Sequence, residues 1–190
     1  MRWVHTIYNV WRMRPLYIGI GIAVFVLVGV WGYTALRHSS SAAVTAPATE
    51  ESAPHPEGYV EYRNEKYGFS LYHAPETKIQ EYDEGGGAAT VVLQNENEQE
   101  LRGLQIFIVP YTEATISEAR FKRDVPSGVR TNVESTTLGG VEAVTFTSVD
   151  LSLGATREVW VIHDGRLYEI TTLESARDWL TSILETWRFL

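Results

Sequence analysis

The residues of this chain that could do chemistry are three histidines, a few carboxylate runs and one glycine triplet, and their spacing decides what each is good for. His55, His73 and His163 lie beyond residue 50, and no His-Glu-x-x-His places two of them on one helical face for zinc. No Gly-x-Ser-x-Gly presents a serine on a strained turn. Asp83 and Glu84 are adjacent in sequence, so they do not face one substrate from opposite sides. Gly85-Gly86-Gly87 lacks the Lys-Ser/Thr of a phosphate-binding loop and joins two strand-like stretches, so it reads as a hairpin loop. Asn95-Glu96-Asn97-Glu98-Gln99-Glu100 has alternating carboxylates but no central glycine, and reads as a solvated connector instead of a calcium loop. His73 and His163 each close a predicted strand and would share a metal only if those strands were neighbours. With no cysteine in the chain, thiolate chemistry, disulfides and a lipidated-cysteine anchor are excluded. No catalytic, cofactor-binding or metal-binding residue is therefore assigned, and the chain is expected not to be an enzyme.

The elements that would hold any such site follow from charge and hydropathy. Residues 16–36 carry no charge, and at about 1.5 Å per residue they reach about 31 Å, enough for the hydrocarbon core of a bilayer. Trp3, Tyr8, Trp11 and Tyr17 stand on one side, Trp31 and Tyr33 near the other, as an aromatic belt does. Arg2, Arg12 and Arg14 precede the stretch and only Arg37 follows it closely, which predicts a cytoplasmic N-terminus. A cleaved signal peptide ending near Ser41-Ala42-Ala43 is the rival, but the apolar run is longer than such a peptide needs. The expected organisation is a basic, aromatic tail at 1–15, a transmembrane helix at 16–36, a Ser/Ala/Pro-rich linker at 37–57 and an extracytoplasmic domain at 58–190. Of the 16 basic residues twelve lie beyond residue 37, with all 24 acidic ones, a net charge of −12 there. Nucleic acid needs a basic footprint, so it is excluded as a partner.

Within residues 58–190 the period is mostly two. Strands are predicted around 59–62, 68–73, 77–82, 88–94 and 101–109, then 129–137, 141–149, 155–163 and 166–173. Gly139-Gly140 and Asp164-Gly165 mark two tight hairpins. Thr115-Ile116-Ser117-Glu118 reads as a capping box opening a short helix that ends before Pro126. Its Arg120, Lys122 and Arg123 form the domain's basic cluster and are expected on an exposed face. Ser175-Ala176-Arg177-Asp178 resembles a second capping box, with Asp in the glutamate position; Ala176, Trp179, Leu180, Ile183 and Leu184 follow helical spacing, and residues 186–189 add a closing strand.

Tyr62-Arg63-Asn64-Glu65-Lys66-Tyr67-Gly68-Phe69-Ser70-Leu71-Tyr72, followed by Pro75, resembles the opening of the PsbP-like family, which shares the Mog1-type sandwich. The order of later elements is similar over most of residues 58–190; His73-Ala74 before the proline and the lack of a tryptophan just after it depart from the family pattern. The resemblance implies an α+β fold, an antiparallel sheet flanked by helices as an α/β/α sandwich, here preceded by one transmembrane helix. It also implies a binding or assembly role without catalysis, and it carries no binding residue over. The expected partners are the lipid bilayer, through residues 16–36, and a protein at the membrane surface. The expected location is the cell membrane with the C-terminal domain extracytoplasmic. The alternatives are a membrane-anchored hydrolase with an unrecognised site and a pilin-like subunit, although the apolar stretch lacks the glutamate that pilin helices carry.

Overall fold

Alternating apolar and polar residues build most of this domain, because a strand that buries one face repeats every second residue. The computed structural model describes residues 56–95, 102–125 and 127–190. The predicted tail, membrane helix and most of the linker lie outside the described residues, and among those described no helix is long and apolar enough to cross a membrane. Residues Ala53–Leu190 form one compact unit. Its strands are β1 (Val60–Asn64), β2 (Phe69–His73), β3 (Thr77–Gly85), β4 (Ala88–Asn95), β5 (Gly103–Pro110), β6 (Thr131–Leu138), β7 (Val141–Asp150), β8 (Gly154–His163), β9 (Arg166–Leu173) and β10 (Arg188–Phe189). Helix α1 (Glu118–Asp124) precedes β6, and a 3-10 turn (Glu174–Ala176) leads into α2 (Arg177–Leu184) before β10.

Seven strands form one antiparallel sheet in the order β3-β4-β5-β9-β8-β7-β6, and three form a second sheet, β1-β2-β10. The expected α/β/α sandwich is thus corrected to a mostly β architecture of two antiparallel sheets. The reason is helix length: α1 has 7 residues and α2 has 8, too little apolar stripe to cover a seven-stranded sheet. The small sheet does much of that covering. Phe69 and Leu71 from β2 pack with Val91, Leu93, Leu104, Ile106 and Ile170 of the large sheet, and Leu180, Ile183 and Trp187 close the cluster. On the opposite face Phe121 of α1 packs against Phe146, Trp160 and Leu167.

The Tyr62–Phe69 motif proves to be a joint between the sheets. Asn64 Oδ1 accepts from the Tyr67 amide at 3.0 Å, and its Nδ2 donates to the Tyr62 hydroxyl at 2.7 Å. That hydroxyl donates to Glu81 on β3 at 2.6 Å. Burial, and then the Glu81 carboxylate, push the Tyr62 hydroxyl above the ordinary phenol range. Gly68 takes φ +71° in the turn, and its carbonyl accepts from the Leu190 amide, tying down the C-terminus. Phe69 then stacks on Trp187 with centroids 4.4 Å apart.

Both predicted tight hairpins form: Gly139, Gly140, Asp164 and Gly165 all have positive φ, the requirement of a type I′ turn. The glycine triplet lies in the β3–β4 hairpin, next to a bulge between Asp83 and Gly85. Both helix starts differ from expectation. Ser117, not Thr115, caps α1 by accepting from the Arg120 amide, and α2 opens from the 3-10 turn without a side-chain cap.

Candidate binding site

The two faces of the large sheet carry different polar constructions. Under α1, Glu169 is 0% exposed and Glu158 is 3% exposed. They lie on paired strands, with Trp160 opposite Glu169 and Thr171 opposite Glu158, so both point to the same face. Arg120 of α1 reaches Glu169 with Nη2 at 2.7 Å and Nε at 3.1 Å, and also contacts Asp124. Glu158 accepts from Thr171 Oγ1 at 2.6 Å, Thr156 Oγ1 at 3.0 Å and Trp160 Nε1 at 3.2 Å. These donors hold both carboxylates in place away from solvent. Such a network fixes how α1 seats on the sheet. The basic cluster expected to face solvent is therefore split, because Arg120 is buried and only Lys122 and Arg123 remain at the surface.

The histidines do not meet. His73 ends β2 of the small sheet and bonds the Ala74 carbonyl at 2.8 Å, while His163 ends β8 and stacks on Phe189 at 4.0 Å. Their strands are not neighbours. Among the described residues no three metal-ligating side chains gather, and no serine or threonine hydroxyl bonds a histidine.

The open construction lies on the other face, where residues of α2 and of β6, β7 and β8 line one groove. The groove has a volume of about 230 Å³. Val159, Leu180 and Leu184 form its floor, and Arg157, Arg177 and Thr136 line it. Register explains the convergence: Arg157 on β8 stands opposite Thr147 of β7, two residues from Val159 on the same face. Arg177 opens α2, one turn before Leu180. Thr145 and Thr181 also line the groove, and their hydroxyls donate to the carbonyls of Glu158 and Arg177. Arg157 is half-buried and makes no hydrogen bond or ion pair among the described residues. Arg177 is loosely held, 3.4 Å from Glu174 and 3.6 Å from Asp178.

Beside the groove, β6 is an edge of the large sheet with seven of its eight residues exposed. It carries a single charge, Glu134. The other edge, β3, carries Lys78, Glu81, Asp83 and Glu84 together with its bulge. Sequence reading missed Arg157, Arg177 and this edge. The available signal was the run of hydroxyl residues in β6, too polar for a core and too short of charge for a guarded edge.

No protein-family profile matches the chain, and no curated protein sequence does. Among solved structures, the solution structure of cyanobacterial PsbP (CyanoP) from Synechocystis sp. PCC 6803 is similar at 16% identity with a TM-score of 0.49, covering 73% of this chain and 96% of that one. It bears the family name that the Tyr62–Tyr72 motif resembles, but at that likeness it assigns neither a function nor a site to this chain.

Proposed function

We propose that this chain is a single-pass membrane protein, N-terminus in the cytoplasm, that displays residues 58–190 outside the membrane as a non-catalytic binding or assembly module. Its partner is a protein, and an extended segment of that partner pairs along β6. The observation that carries this reading is the contrast between the two edges of the large sheet. Sheet edges offer unpaired backbone donors and acceptors, and proteins guard them with charge, proline or bulges. β3 is guarded by four charges, while each edge carries one irregularity near an end. On β6 the only irregularity falls between Thr131 and Glu134, which leaves residues 134–138 in regular register with one charge at their start. Strand addition at such an edge draws affinity from main-chain hydrogen bonds and specificity from neighbouring pockets, here the groove under α2.

Two experiments test the two halves. Protease added outside intact cells should digest residues 58–190; protection of that domain would overturn the topology. For the edge, a photo-crosslinking residue at Thr137 should trap a discrete protein adduct in native membranes, and Thr137→Pro should reduce co-purification of that protein. No adduct at Thr137, with adducts elsewhere on the domain, would overturn the docking site.

A further inference from the structure

The geometry points to an oxyanion as the group that the groove under α2 receives: a carboxylate or a phosphate, held by the Arg157 guanidinium and backed by Arg177. This deepens the reading of that end of the domain as the binding site and rests on it. Arg157 is the central observation. It is half-buried and makes no hydrogen bond or ion pair among the described residues. A guanidinium presents five N–H donors in a planar fork, and none of those on Arg157 is among the buried unsatisfied atoms, so they stay open to water and to a ligand that can replace it. The fork matches the paired oxygens of a carboxylate or phosphate, which a lysine in the same place would meet only as a point charge.

The surroundings agree with an anion and argue against a cation or a neutral ligand. Arg177 lines the same groove, and its contacts to Glu174 and Asp178 are long enough to exchange for a stronger partner. The Thr136 hydroxyl, also on the groove wall, makes no bond among the described residues and is available to donate. Val159, Leu180 and Leu184 supply an apolar floor, so a ligand with a short apolar stem behind its charged head uses the whole groove. One carboxylate opposes the anion: Glu185 lines the groove and is exposed. It makes the site weaker than the two arginines alone would, and its removal gives the inference a gain-of-binding test.

The experiment uses the full chain in detergent micelles at constant ionic strength, with inorganic phosphate and hexanoate as separate probes and hexylamine as the control of opposite charge. Binding is read by calorimetry and by the rise in unfolding temperature. The wild-type chain should bind phosphate, hexanoate or both, and not hexylamine. Hexanoate alone indicates a carboxylate on an apolar stem, and phosphate alone a phosphorylated ligand; either supports the inference. Arg157→Gln should weaken binding roughly tenfold or more, because a charge-assisted forked bond is lost. Arg157→Lys should recover part of it, and Glu185→Gln should tighten it. Arg177→Gln, at an exposed position, gives a second reading if Arg157→Gln proves unstable. Binding of neither probe, or equal binding by wild type and both arginine variants, overturns the inference. Retention of the Thr137 adduct in that case leaves strand pairing at β6 standing, whereas loss of the adduct with anion binding intact removes the protein partner instead.

Discussion

Replacing Arg120 by alanine should be among the most damaging single changes in the domain, although the side chain lies on a helix of only 7 residues. Its guanidinium donates twice to Glu169 Oε1, at 2.7 and 3.1 Å, and contacts Asp124. Arg120 is 5% exposed and Glu169 is 0% exposed, so water cannot take over. Removing one partner of a buried ion pair costs about 3–5 kcal/mol, because the other charge stays behind in a poorly polarisable interior. That is a large part of the ~5–15 kcal/mol that stabilises an ordinary domain. It should lower the unfolding temperature by on the order of 10 °C. Arg120→Met combined with Glu169→Leu removes both charges, leaves Asp124 its Arg123 neighbour at 3.4 Å, and should recover most of the loss. Urea unfolding followed by tryptophan fluorescence suits the test, because Trp160 stacks on Phe121 of α1 at 4.9 Å and reports on that seat. A cost below about 1 kcal/mol for the single variant, or a double variant as unstable as the single, would refute the reasoning.

Two further outcomes follow from the joint between the sheets. Asn64→Ala removes the acceptor for the Tyr67 amide and the donor to Tyr62, and should cost about 1–3 kcal/mol in chemical denaturation, with Asn64→Asp recovering part through the remaining acceptor. Burial pushes the Tyr168 hydroxyl up to about 12, above the ordinary phenol value of 10.0. An acid with a raised folded pKa stabilises the fold while it stays protonated. That contribution is therefore full below pH 10 and is lost as pH rises from about 10 towards about 12. Tyr168→Phe should be less stable at neutral pH, since the Tyr67 carbonyl loses its 2.7 Å donor, yet should fall less steeply above pH 10 in an alkaline unfolding series.

Much of the strand layout was legible because strands and tight turns are local. Asp164-Gly165 and Gly139-Gly140 demand positive φ wherever they occur, and the period-two runs on either side leave one register that buries Val159, Val161 and Ile170 together. The architecture was not legible from the same signals. Whether helices or a second sheet cover the apolar face depends on β10, two residues long, pairing back to β2 across more than a hundred positions. The Tyr62–Tyr72 motif pointed to a family by resemblance; the hydrogen bonds show what these residues do, which is to join two sheets and anchor the C-terminus. Glu169 sits between Tyr168 and Ile170 in an apolar strand, where a carboxylate demands a buried partner. Its partner, Arg120, is 49 positions away, and sequence alone left it on an exposed helix face. Arg157 and Arg177 were illegible as a pair because only the tertiary fold brings a residue of β8 and one of α2 to the same groove.

The most direct test of the account compares crosslinking at the two edges of the large sheet in native membranes, with the photoreactive residue at Thr137 on β6 or at Asp83 on β3. Pairing at the unguarded edge predicts a discrete protein adduct from Thr137 and none from Asp83. Adducts from Asp83 alone, or the same adducts from both, would contradict it.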